Sequence, residues 1–76
     1  MTTPNYRRVA EAIEDQITKG ELNPGDKLPS IRELREQYGV GNNAIHQAII
    51  VLKEKHLVQG HPGKGVYVAD PLPPLA

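Results

Sequence analysis

Apolar residues recur along this 76-residue chain in two rhythms. From Tyr6 to Ile17 they fall at helical spacing, through Tyr6, Val9, Ala10, Ile13 and Ile17, which predicts an amphipathic helix. Thr3 is placed to cap its start with Pro4 at the first helical position, and Gly20 to close its end. The other face carries Arg7, Glu11, Glu14, Asp15 and Thr18 and reads as solvated. A turn follows at Asn23-Pro24-Gly25-Asp26, with Leu22 free to tuck back onto the first helix. Lys27-Leu28 form a very short extended segment, because Leu28 precedes Pro29 and is pushed away from helical geometry.

A second helix opens at Ser30, where Glu33 three residues on completes a capping box. Ile31, Leu34 and Tyr38 keep the helical period, and Gly39 ends it. Val40-Gly41 connect to a third helix, Asn42 to Lys55, whose apolar stripe is Ile45, Ala48, Ile49 and Leu52. Its opposite face displays Asn43, His46, Gln47 and Ile50. The rhythm then changes to that of strands, in Leu57-Val58-Gln59 and Gly65-Val66-Tyr67-Val68-Ala69, with the turn-rich GHPGKG between them. The predicted fold is α+β and mainly α: three helices and a C-terminal β-hairpin, with a short extra strand near Lys27-Leu28. Residues 1–69 read as one domain and 70–76, DPLPPLA in sequence, as a proline-rich tail or linker.

Two helices joined by a short glycine-containing turn form a helix-turn-helix, whose second helix suits the major groove of DNA. The amides of Asn43 and Gln47 and the imidazole of His46 are groups that bond base edges. A hairpin directly after such a helix is the wing of a winged helix-turn-helix. His61 and Lys64 stand among glycines at its tip, where backbone and positive charge can approach a phosphate or the minor groove together. Val58, Val66 and Val68 face the core.

Charge adds to this picture. The formal net charge is zero, yet residues 1–26 hold two more acids than bases and residues 27–68 hold three more bases than acids. A basic second half suits a polyanionic partner. The chain lacks cysteine, so no disulfide or thiolate metal site supports it, and His46, His56 and His61 lack zinc-ligand spacing. His56 reads as a histidine at the negative end of the third helix. Ser30 has no adjacent base and is a cap, not a nucleophile. The glycine-lysine pair of GHPGKG lacks the length and following helix of a phosphate-binding loop. The reading therefore includes no enzyme, metal or cofactor. No apolar run approaches the roughly 20 residues of a membrane span, and the expected location is the cytoplasm.

The chain resembles the N-terminal DNA-binding domain of the GntR, or gluconate-repressor, family of bacterial transcription regulators. The resemblance runs from Tyr6 to Val68 through GELNPGDKLPSIREL, Tyr38-Gly39-Val40, Leu57-Val58 and GKGVYV. It implies a winged helix-turn-helix that works as a dimer on inverted-repeat operators of double-stranded DNA. It also implies a larger C-terminal domain that dimerises and binds a small-molecule effector, and such an effector concerns this protein only if that domain exists beyond this chain.

Carried over by position, the resemblance places Ser30 and Arg32 against DNA. A helix N-terminus there presents free amides, and a guanidinium can bond a phosphate or a guanine. Arg32 is also spaced to pair with Glu36, and Arg35 reads as solvated. Gly63, Lys64 and Gly65 match the family's wing tip. At the reading positions the family often has Ser at Gly41, Arg at Asn42, Thr at Ala44 and Arg at His46, whereas this chain has GNNAIHQA. Fewer arginines mean fewer charge-assisted contacts, which moves base reading toward Asn42 and Asn43 on adenine. The function read from the sequence is a sequence-specific transcription regulator, in the sense of a repressor or its DNA-binding part. The alternative is a winged-helix module that binds protein, to which the exposed Ile50 lends support.

Overall fold

A computed structural model describes residues 4–74. Asn5–Thr18 form α1, Ile31–Tyr38 α2 and Asn42–Glu54 α3, followed by strands β1, Val58–His61, and β2, Gly65–Val68. These are the three helices and antiparallel hairpin that the apolar periodicity predicts.

The helix boundaries follow local chemistry. Thr3 lies outside the described residues. Pro4, with ψ at 146° and no side-chain hydrogen bond, occupies the N-cap of α1 itself, so the helix begins one position later than the sequence reading. Its carbonyl accepts the amides of Arg7 and Arg8, both at 3.1 Å. At the far end Gly20 takes a left-handed φ of 81°, and the Glu21 amide reaches back to the Gln16 carbonyl at 2.8 Å. In α2 both halves of the capping box are present. The Glu33 amide donates to Ser30 Oγ, and the Ser30 amide donates to Glu33 Oε1, each at 3.1 Å.

α1 packs chiefly on α3. Val9, Ala10, Ile13 and Ile17 meet Ile45, Ala48, Ile49 and Leu52, while Leu34 comes from α2 and Leu57, Val58 and Val68 from the hairpin. Leu22 and Leu72 are half-buried against this cluster, so the segment after β2 turns back onto the core. Two charged residues depart from the sequence reading. Glu14 is tied to α3's end by Lys55 Nζ at 2.8 Å instead of standing free in solvent. Arg35 is half-buried, and its Nε meets no hydrogen-bond acceptor among the described residues. It is not the solvated side chain the sequence suggests, because α2 is short and its flank turns toward the core.

The hairpin is tighter than expected. Val58 pairs with Val68, Gln59 with Tyr67, Gly60 with Val66 and His61 with Gly65. Only Pro62, Gly63 and Lys64 remain to connect the strands, and the Lys64 amide closes the turn on the His61 carbonyl at 2.9 Å. The extended segment before α2 pairs with β2 through a bridge between Lys27 and Tyr67. The turn that delivers it needs Gly25 at φ 87°, a value most side chains resist. The Asp26 amide donates to the Asn23 carbonyl at 2.9 Å, and the Asn23 amide returns a bond to Asp26 Oδ2 at 2.8 Å.

α3 ends differently from α1. His56, at φ 61°, holds the left-handed position that glycine usually fills. The Leu57 amide bonds the Leu52 carbonyl at 3.0 Å and the His56 amide bonds Lys53 at 2.9 Å. A side chain in that conformation costs about 1 kcal/mol. His56→Gly is expected to raise the free energy of unfolding by about that amount, seen as a higher urea midpoint with an unchanged slope. An unmoved or lowered midpoint would show that the histidine side chain makes compensating contacts.

The capping box gives a pH dependence. The bonds from Ser30, its backbone amide first and its hydroxyl second, hold the Glu33 carboxyl below its ordinary value, and the charge of Lys27 adds to the effect. Because the folded value lies below the unfolded one, the contribution is complete above the ordinary glutamate range. It is lost as pH falls through the depressed folded value. Glu33→Gln is expected to flatten this part of the stability profile in acid urea titrations. Equal slopes in parent and variant would mean that the cap does not discriminate between the two protonation states.

Candidate nucleic-acid interface

Two segments far apart in the sequence converge on one side of the molecule. The Leu28 amide donates to the Val66 carbonyl at 2.8 Å, the Val68 amide to Asp26 at 2.8 Å and the Gly25 amide to Val68 at 3.0 Å. Leu28 is buried beneath them. With this segment held on β2, Pro29 and Ser30 start α2 directly beside the wing. The result is a cleft of about 450 Å³ whose walls include Lys27, Ser30 and Arg32 on one side and Lys64, Gly65 and Val66 on the other. Four of the residues singled out in the sequence, Ser30, Arg32, Lys64 and Gly65, therefore share one cleft.

Lys27 is the member that sequence reasoning missed. Its Cε lies 3.0 Å from where a Cβ on Gly65 would stand, and Gly65 itself, at φ 125°, holds a backbone conformation that side chains resist. The available signal was the alternation in Asp26-Lys27-Leu28, which turns Lys27 outward when Leu28 is buried. Lys53 is a second such residue. Its Nζ lies 3.1 Å from a Cβ built on Gly60, which places the ammonium over the wing strand from the last turn of α3. Among the described residues Lys27, Lys53 and Lys64 form no ion pair, whereas Lys19 pairs with Asp15 and Lys55 with Glu14.

The start of α2 offers less than a bare helix terminus. The amides of Ser30 and Glu33 are already bonded within the capping box, and the Glu33 carboxylate occupies the place that the sequence reading gave to an anion. Ser30 Oγ accepts from the Glu33 amide, so the hydroxyl too is engaged within the capping box. Arg32 Nε stands 3.5 Å from Glu36 Oε1 with both side chains largely exposed. Such a pair contributes little and is readily exchanged for a phosphate.

α3 presents the remaining candidates on one surface. Gly41 caps it without a side-chain bond. Asn42, Asn43, His46 and Gln47 are exposed and Ala44 is half-buried, while Ile45, Ala48, Ile49 and Leu52 on the reverse anchor the helix in the core. The exposed amides and imidazole are thus held on a rigid element, with no buried partner competing for them. At the wing, Gly63 and Lys64 are exposed in the turn. His61 closes β1 opposite Gly65, with its ring edge-on to Tyr67 at 4.9 Å between centroids.

Other chemistry finds little support in the geometry. Among the described residues no group of His, Cys, Asp or Glu is placed to hold a metal ion, and no helix is long and apolar enough to cross a membrane.

The chain is similar to known regulators. The family model described as "Bacterial regulatory proteins, gntR family" matches residues 5–68. The mannosyl-D-glycerate transport/metabolism system repressor MngR of Escherichia coli K12 is 39% identical over 67 residues, which are 88% of this chain and 28% of that protein. The repressor NagR of Bacillus subtilis 168 is 37% identical over 68 residues, 90% of this chain and 28% of that one. This chain therefore spans little more than a quarter of either relative. Among solved structures, the DNA-binding domain of AraR in complex with operator ORR3 superposes with a TM-score of 0.87 at 35% identity, covering 91% of this chain and 83% of that one. A GntR family regulator from Listeria monocytogenes gives 0.86 at 30% identity, over 91% of this chain and 60% of that one. Family match, identity and fold agree: the chain belongs to the gntR family of bacterial regulatory proteins, as a winged helix-turn-helix DNA-binding domain and not an enzyme.

Proposed function

We propose that this domain binds a specific operator, with α3 in the major groove and the wing and Lys27 cleft on the adjoining backbone or minor groove. The observation that carries this reading is the cleft. It gathers Lys27, Arg32 and Lys64 beside α3, whose exposed face carries the hydrogen-bonding groups of Asn43, His46 and Gln47. The AraR domain, alike in fold, was solved on operator DNA, which supports the same mode of docking. Asn42 and Asn43 read adenine, His46 and Gln47 reach neighbouring bases or phosphates, and Ala44 allows the groove wall to approach. Ser30, Arg32, Lys64 and the glycines Gly63 and Gly65 hold the backbone, with His61 beside them.

Two copies bind an inverted repeat, one per half-site. Repression by operator occupancy is the favoured output, because relatives such as MngR and NagR carry the name repressor. In this reading residues 1–69 form the DNA-reading unit and 70–76 lead out of it. Any effector acts on a domain outside the matched region, and the site of action is cytoplasmic DNA. Selection of bound sequences from random duplexes at moderate salt tests the proposal. A recovered half-site in inverted repeat supports it, and recovery of unselected sequence overturns it.

Two consequences follow from named residues. Each phosphate contact contributes about 0.9 to the slope of log K against log salt. Lys27→Ala and Lys64→Ala are each expected to lower that slope by about one unit, and the double variant by about two. Fluorescence anisotropy between about 50 and 200 mM salt measures this, and an unaltered slope removes that lysine from the backbone contact.

His46 stands where the family often carries arginine. His46→Arg is expected to bind a selected operator more tightly than the parent and His46→Ala more weakly, read as dissociation constants at one salt concentration. Unchanged affinity in both variants removes His46 from the interface.

A further inference from the structure

Ile50 is the one large apolar side chain left exposed among the described residues, at 53% of its full accessibility. A lone exposed isoleucine is ordinary in itself; its position is not. At 100° per residue, Asn43, His46, Gln47 and Ile50 fall within an arc of about 100° on α3, opposite the buried stripe. They follow the spacing i, i+3, i+4, i+7 with which other major-groove helices reach successive bases. Seven residues at about 1.5 Å rise carry Ile50 about 10 Å along the axis from Asn43, which corresponds to about three base-pair steps.

Neither helix formation nor packing accounts for isoleucine here. A β-branched residue is a poorer helix former than alanine or lysine at an exposed site, and the core is complete on the other face. Within the reading arc the other three side chains offer donors and acceptors, and Ile50 offers none. The major-groove edge of duplex DNA carries one apolar group, the C5-methyl of thymine.

We propose that Ile50 is a specificity-determining residue that reads a thymine by packing on its C5-methyl group, beyond the bases bonded by Asn43, His46 and Gln47. This rests on the reading that α3 lies in the major groove. The occupant is assigned as DNA and not another protein because Ile50 is flanked on its own face by hydrogen-bonding groups and belongs to no wider apolar patch among the described residues.

The test uses the whole chain and a selected operator in which each thymine is replaced singly by uracil, which keeps the base pair and removes only the methyl group. Binding of the parent is expected to weaken about fourfold at one thymine of each half-site, the weight of one methyl group returned to water. Ile50→Ala is expected to bind the thymine operator about fourfold more weakly per half-site. It should then bind the thymine and uracil forms alike at that position, with ratios elsewhere unchanged. A selected half-site without thymine, or a thymine-to-uracil ratio at every position that Ile50→Ala leaves intact, overturns the proposal. If Ile50 instead covers a protein partner, the variant keeps its full DNA affinity, which also overturns it. Loss of all sequence-selective binding by the parent is a distinct result, and it removes the major-groove reading itself together with the role of Ile50.

Discussion

The arrangement depends on three backbone hydrogen bonds that hold the segment from Gly25 to Leu28 against β2, at 2.8 to 3.0 Å. Without them α2 and the wing would be two separate projections from the core. With them, the first turn of α2 stands beside Lys64, and Lys27 lies along Gly65. Leu28 below and Val68 above are both buried, so the same contact that positions charge also closes the apolar cluster. Fold and site are therefore coupled at this strand-like segment: a change that loosens it would separate the cations as well as open the core.

Charge is distributed in the same sense. Of the acids in the N-terminal part, Asp15 on α1 engages Lys19 and Glu14 engages Lys55. The lysines that stand outside ion pairs among the described residues, Lys27, Lys53 and Lys64, come from elements that meet at the wing. Lys27, Arg32 and Lys64 thus line one cleft although the chain as a whole carries no net charge. Specific contacts on α3 are correspondingly important, since a neutral domain gains less from non-specific electrostatics than a basic one does.

Much of this was legible in the sequence, where local chemistry decides the outcome. Ser30 and Glu33 specify a capping box through their own side chains, Gly39 ends α2, and the stripe from Ile45 to Leu52 specifies the buried face of α3. The hairpin was less legible at its tip. Gly60 and His61 are poor strand signals, yet both pair across the ladder, because Pro62-Gly63 makes a sufficient turn by itself and leaves the flanking residues to the register set by Val58 and Val68. Non-local features were out of reach. The bridge from Lys27 to Tyr67 joins residues forty positions apart, and no periodicity encodes it. The half-burial of Arg35, the tie from Lys55 to Glu14 and the approach of Lys53 to Gly60 likewise arise from how elements pack. The family resemblance supplied the order of the parts and placed Ser30, Arg32 and Lys64; it did not show that one cleft would join them.

In the proposed mode of binding, α2's start, the exposed face of α3 and the wing act as one continuous surface toward DNA. Amide chemical shifts of isotope-labelled protein, followed as a selected operator duplex is added, test it most directly. The changes are expected to concentrate in residues 27–32, 42–50 and 61–65 and to move together with one affinity, while the acidic face of α1 from Glu11 to Thr18 stays still. Changes centred on α1, or a wing that responds with a different affinity from α3, would contradict it.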